Sequence, residues 1–449
     1  MRDDEMGDQL TLFLGELWFF EQNSRCAAPE TEPPTLKNLI YGAMLVDCCG
    51  KIVTVGDREF LCSTYPQAKI VDFGKSLIFP GFVDSQIALP NLRIMGSLTE
   101  NLESWQEEYR FPEERRFADD DYAKVAARDL LDEVIKQGTT SVSLLSSVHW
   151  GATERLFEAS LESGLRAVIG KMSMDQYGPE GLRLGLQADY QETRALIEAW
   201  HGREDRLYYS LSPRALKFCS PPLLKAIAQL KALYPDLRFQ TEITQGSRDR
   251  EILRKSFSWE GSQIALFEAL ELLGENSCIS QRMEFISEDR DILRGTQTSV
   301  AYCPSSSFFF GKEGLIKIKS GLDAGLNYSL GSQFGFGKSA SMWSAMDQAY
   351  QHSVSSGQAL TPSECFYLAT IGGARALGLE HKAGNLSSGL EADFQVVNLA
   401  RNHLLMKRLE NCYSDEERLG VIIRTMEASM VQEVFVAGKS ISATDINAF

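Results

Sequence analysis

Histidine is scarce in this chain. There are five in 449 residues: His149, His201, His352, His381 and His403. None sits where the architecture read below would place a metal ligand. Nine cysteines are present, an odd and scattered set with no CxxC pair, and Cys48-Cys49 are adjacent rather than spaced for a metal. Reduced thiols in a cytoplasmic protein are the expected reading. Excess positive charge is also missing. With 45 Lys and Arg against 61 Asp and Glu, the net charge is −16. That excludes nucleic acid and anionic membrane as expected partners, because both need basic patches. No run of 18 apolar residues occurs, so no membrane span is expected. The start, MRDDEMGDQL, lacks the basic and apolar segments of a secretion signal.

What is present is a soluble composition, 44% hydrophobic and 24% charged, in a length that suits one large domain and a smaller one. Residues 8–75 alternate short β-like runs with turns, and the proline- and acid-rich stretch Ala27–Pro34 reads as a loop insertion. From about residue 76 the texture changes to alternating strands and helices. Strands are expected at 77–87, 138–146, 166–174, 206–214, 238–244, 277–283, 298–303 and 326–333. Helical patterns lie between them, at Asp121–Gln137, Ala152–Ser163, Tyr190–Trp200, Pro221–Leu233 and Gly261–Leu273. Eight such units predict an α/β fold, a (β/α)8 TIM-type barrel over 76–384 with its site at the C-terminal ends of the strands. The ends, 1–75 and 385–449, return to β texture and are expected to join as a small β-sandwich. No internal repeat or low-complexity tract is visible.

Several stretches carry a family resemblance. They include Pro80-Gly81-Phe82-Val83-Asp84, Trp105 with Tyr109-Arg110-Phe111-Pro112, Ser212-Pro213-Arg214, Tyr302-Cys303-Pro304-Ser305, Leu368–Leu379 and Gly389–Phe394. On these the chain resembles guanine deaminase, a zinc-dependent member of the amidohydrolase superfamily, over roughly residues 10–441. The resemblance implies the barrel and sandwich above. It also implies a metal held by two strand-one histidines, one histidine each from strands five and six, and a strand-eight aspartate, with a strand-five glutamate moving the proton of the bound water.

The positions that match those residues have all changed. The strand-one pair is Gln86 and Ala88. On strand five the His and the Glu are Glu242 and Gln245. The strand-six His is Gln281 and the strand-eight Asp is Gln333. Neutral amides are weak ligands for zinc, and a lone Glu242 cannot hold it. Four of six replacements are glutamine, a residue that fills 21 of 449 positions. Single-base changes account for such a set without selection. A rebuilt neutral pocket whose amides donate and accept accounts for it as a binding site, and this is the preferred reading. The resemblance places Asn91 at the guanine-contacting position, retains Arg214 and puts Ala215 where an aromatic residue stacks on the base. Phe308-Phe309-Phe310, Phe334 and Phe336 follow strands seven and eight and suit a flat apolar ligand, or else pack beneath a loop.

For new chemistry the candidates are Glu242 as a base, if burial raises its pKa, and Arg214 and Tyr302 as donors to a developing oxyanion. Gln86, Asn91, His149, Gln245, Gln281, Gln333, Phe309 and Phe334 are the candidate substrate contacts. His149, at the end of strand two, also suits a structural role, and Cys303 suits a buried inert thiol. The expectation is a barrel without metal or other cofactor that binds a small organic molecule. It is expected to promote a non-hydrolytic step such as cyclisation, isomerisation or elimination, and to form a homodimer. Two alternatives stand beside it: a non-catalytic pseudoenzyme acting through protein contacts, and a metallohydrolase with a relocated site.

Overall fold

A computed structural model describes residues 10–21, 34–243, 247–281, 284–306, 316–335 and 339–441. Eight parallel strands form the barrel: Phe82–Ala88, Thr139–Leu145, Arg166–Gly170, Leu207–Pro213, Arg238–Ile243, Ser277–Gln281, Ser299–Tyr302 and Tyr328–Leu330. A two-residue strand, Met172–Ser173, extends the third and pairs with the fourth. The hydrogen-bonded ladder runs unbroken from the first strand to the eighth. The last and first strands then meet through side chains: Ser85 Oγ donates to the Leu330 carbonyl at 2.7 Å, and Ser329 Oγ donates to Ser85 Oγ at 2.9 Å.

Helices cover the barrel where the apolar periodicity predicts them. The helix at Pro221–Leu233 has proline at its first turn and the Ser220 hydroxyl accepting from the Leu223 amide, a good helix start. Others run over Asp120–Lys136, Trp150–Ser163 and Leu186–Trp200. The pattern expected at Gly261–Leu273 contracts to Gln263–Ala269, because Glu271 takes a left-handed φ of 56° just beyond it. The main core lies between strands and helices, with Trp343, Phe82, Phe79 and Phe366 packed edge to face.

Both termini join in one mixed sheet of seven strands, with Phe394–Val397 antiparallel to Lys69–Pro80. The strand expected at 77–87 is therefore two. Lys69–Pro80 belongs to this terminal sheet and Phe82–Ala88 to the barrel. The chain changes sheets at Gly81, where an added Cβ would lie 2.1 Å from Thr140 Oγ1, so only glycine passes there without a shift. The buried Arg166 guanidinium fastens the two parts, donating to Asp393 at 2.5 and 3.1 Å and to Glu391.

Candidate functional site at the barrel mouth

Strand alternation decides which side chains reach the mouth. On strand five Gln240 and Glu242 share the inner face. Gln240 lies deeper, accepting from Ser143 and donating to Ser212 Oγ at 3.0 Å. Glu242 stands above it, half-buried, and its Oε1 accepts from Gln333 Nε2 at 2.9 Å. Gln333 is 2% exposed and holds a left-handed φ of 41°. Its main-chain N–H donates to the Gln86 carbonyl at 2.9 Å. Next to it, a Cβ on Gly331 would meet Cys303 Sγ and Gln86 Cβ, each at 2.9 Å, so the end of strand eight lies flush on Gln86. Asp84 ties the same two strands, its Oδ1 accepting from the amides of Gln86 (3.1 Å) and Ser332 (3.0 Å). Burial pushes its carboxyl up to about 7, against those hydrogen bonds.

The register places other expected residues elsewhere. Glu242 pairs with Ser280, whereas Ile243 pairs with Gln281 and Gln281 with Tyr302. Gln281 and Tyr302 therefore share the face of Ile243, which packs in the core beneath the helices. Gln281 Oε1 accepts from the Tyr328 hydroxyl at 2.7 Å. The Tyr302 hydroxyl lies 2.8 Å from His352 Nδ1 on the helix Met342–Ser355. Neither side chain is brought to the mouth. Phe334 is 2% exposed and also packs in that core. Gln245, Phe308, Phe309, Phe310 and Phe336 lie outside the described residues.

A charged cluster roofs the mouth. Asn91, on the 3-10 turn Leu89–Ile94, accepts from Arg110 Nη1 through its Oδ1. Arg110 Nε and Arg214 Nη2 both donate to Glu114 Oε2, at 3.1 and 2.8 Å. All four residues are 5% exposed or less. Arg214 also lies over the rings of Phe111 and Phe218, at 5.2 and 5.5 Å. Burial and then the neighbouring Arg214 charge hold Arg110 below its usual pKa, although Glu114 and Glu242 oppose them. Burial works against the Glu114 charge, yet the two guanidinium groups hold it below the usual carboxylate range. His149 stands beside this cluster as the residue before helix Trp150–Ser163. Its pKa is lowered, chiefly by burial, despite the field of Glu114. Buried polar atoms remain without a hydrogen-bond partner here: Gln86 Nε2, Gln333 Oε1, Glu114 Oε1 and His149 Nε2.

A cavity of about 30 Å³ remains among Asn91, Arg110, Arg214, Glu242 and Gln333. That is room for water, not for an organic ligand. A cleft of about 390 Å³ lies further out, lined by Gln106, Phe111, Tyr177, Lys217, Phe218 and Lys255 among others.

The model of the amidohydrolase family matches residues 77–441. The chain belongs to the amidohydrolase family. It is related to guanine deaminases. It is 29% identical over 412 residues to the guanine deaminase of Escherichia coli (strain K12), spanning 92% of this chain and 93% of that one. It is 30% identical over 429 residues to a probable guanine deaminase of Deinococcus radiodurans, spanning 94% and 97%. The solved structure of the E. coli guanine deaminase superposes with a TM-score of 0.90 at 27% identity, over 96% of this chain and 99% of that one.

The zinc that the family resemblance implies is not suited by the side chains at this amidohydrolase mouth. Zinc takes imidazole, thiolate or carboxylate ligands in groups of three or four. Among the described residues no three His, Cys, Asp or Glu lie together as such a group. Among the described residues the mouth offers the amides of Gln86 and Gln333, with Glu242 already accepting from Gln333, Glu114 already shared by Arg110 and Arg214, and Asp84 accepting from main-chain amides.

Of the expected contacts, the structure brings together Gln86, Asn91, Arg214, Glu242 and Gln333, with His149 at the edge. Arg110 and Glu114 were missed as site residues. Their signal was an Arg–Glu pair at i,i+4 flanking Pro112 in the segment that carries the family likeness. It reads equally well as a surface helix pair.

Proposed function

We propose that this amidohydrolase does not deaminate guanine, and that its barrel mouth is a metal-independent binding site for a small organic molecule. One observation carries the reading. Among the described residues that line the mouth cavity, Glu242 is the one carboxylate, and it is hydrogen-bonded to the amide of Gln333, where a deaminase would need ligand and base chemistry. The family alignment read from the sequence supports it, since glutamines stand at four of the six catalytic positions. Three groups could contact a bound molecule: the Gln86 amide, the Gln333 carbonyl and Glu242. They would act by hydrogen bonding and proton transfer, which suits a non-hydrolytic step better than attack by water. The protein would work as a cytosolic homodimer.

The 30 Å³ cavity favours a second reading, a non-catalytic protein whose closed barrel is kept for its shape and surface. Native mass spectrometry with elemental analysis separates the readings. The first expects far less than one metal per chain, no ammonia from guanine and a co-purifying organic mass. A chain free of metal and of any small molecule supports the second. One tightly held zinc per chain with ammonia release overturns both.

A further inference from the structure

We infer that the barrel mouth contains a subsite for a planar guanidino or amidino cation, and that the Arg110 side chain is its resident occupant. This rests on the metal-independent reading above and names the chemistry and control of that site.

The acceptors come from three separate elements. Asn91 Oδ1 belongs to the turn after strand one, Glu114 Oε2 to the helix Phe111–Arg115, and Glu242 to strand five. The first two take hydrogen bonds from the Arg110 guanidinium. The third lines the same small cavity and acts on it electrostatically. A carbonyl and a carboxylate on two edges of one plane match the donor fork of a guanidinium and fit an ammonium poorly.

The two carboxylates Glu114 and Glu242 favour a cation at this place, but burial and a like charge oppose it. Arg110 is 4% exposed and faces a second buried cation, Arg214, across the shared Glu114. For a buried ion set of this kind, replacement of the whole set by apolar side chains is often neutral or stabilising. Glu114 Oε1, without a partner of its own, faces the same cluster.

The arm that delivers Arg110 is also unusual. Arg110 ends the π-helical turn Gln106–Arg110, between the short helices Leu102–Trp105 and Phe111–Arg115. Such turns are rare and are frequent at functional sites. With Arg110 in place the cavity is water-sized. An external guanidino compound enters only when Arg110 leaves, so the residue acts as an internal competitor.

The test is chemical rescue of Arg110→Ala in the full-length protein, read as Tm and, where the variant does not accumulate folded, as its refolding yield. Methylguanidinium at on the order of 10 mM, far below denaturing levels, is expected to raise the variant's Tm by a few degrees, saturably, as ligand linkage requires. Equal sodium chloride or methylammonium is expected to give no such rise. The wild type, its subsite filled, is expected not to respond. A variant that methylguanidinium does not restore, or that all three salts restore equally, overturns the subsite. That failure leaves the wider reading intact if the protein is still metal-free and inert on guanine. Bound zinc with deamination removes the wider reading instead.

Discussion

Two buried ion clusters lie at opposite ends of this barrel, and they are built to different standards. Where the barrel meets the terminal sheet, one cation faces two acids. Arg166 spreads its fork over both oxygens of Asp393 and reaches Glu391, and the Ala437 amide also donates to Asp393, at 2.8 Å. Burial works against the Arg166 charge, yet the two carboxylates hold its pKa above the ordinary value. At the mouth two cations share one carboxylate oxygen, and burial with like charge holds Arg110 below its ordinary value. The junction leaves neither Asp393 nor Glu391 an unpartnered buried oxygen, whereas at the mouth Asp84 Oδ2, Gln86 Nε2, Glu114 Oε1, His149 Nε2, Ser332 Oγ and Gln333 Oε1 are buried without a partner. A saturated cluster is a fastening. An unsaturated one, in a family whose sites lie at the strand ends, is the signature of a place that exchanges partners.

The comparison is tested most directly by removing each central cation. Arg166→Ala leaves Asp393 and Glu391 without their cation, and is expected to cost about 3–5 kcal/mol in denaturant unfolding. Arg110→Ala leaves Glu114 still paired with Arg214, and is expected to cost about 1–3 kcal/mol. Equal losses would mean that the mouth cluster is as much a fastening as the junction.

Asp84 sharpens the same contrast through pH. Folded, it keeps its proton up to about 7; unfolded, it releases it near the ordinary value of 3.8. Between those values the folded chain binds more protons, so this group's contribution to stability falls as pH rises from about 4 to about 7. The ceiling is on the order of 4 kcal/mol. Asn at this position still accepts from Gln86 and Ser332, so Asp84→Asn is expected to gain on the wild type steadily across that window in chemical denaturation. A stability difference that does not change with pH would show that Asp84 is ionised in the fold.

Much of the frame is legible in the sequence because it depends on local chemistry. A serine cap, a proline at the first turn and apolar periodicity place Pro221–Leu233 without help from the rest of the chain. What is not legible depends on register. Whether Gln281 and Tyr302 face the mouth or the helices turns on a one-residue choice of pairing, and a slip of one reverses every side chain. The meeting of Glu114 with Arg214 spans 100 residues of chain and leaves no local mark. The same holds for Lys69–Pro80, whose pattern runs into the barrel strand until Gly81 separates them.

The smallest expected effect bears most closely on the chemistry. Glu242→Gln removes the charge that strand five presents to the mouth cavity but keeps an oxygen that accepts from Gln333 Nε2. The strengthening that a charge gives such a bond is on the order of 1 kcal/mol, and it is offset in part by easier burial of the neutral amide. Unfolding stability is therefore expected to change by less than about 1 kcal/mol, and on the proposed metal-independent reading the metal content is expected not to change. Binding of the organic molecule proposed for the mouth should weaken if Glu242 accepts a proton or a donor from it. A large loss of stability accompanied by loss of a bound ion would show instead that this carboxylate anchors a metal, and the division between a structural and an exchanging cluster would have to be redrawn around it.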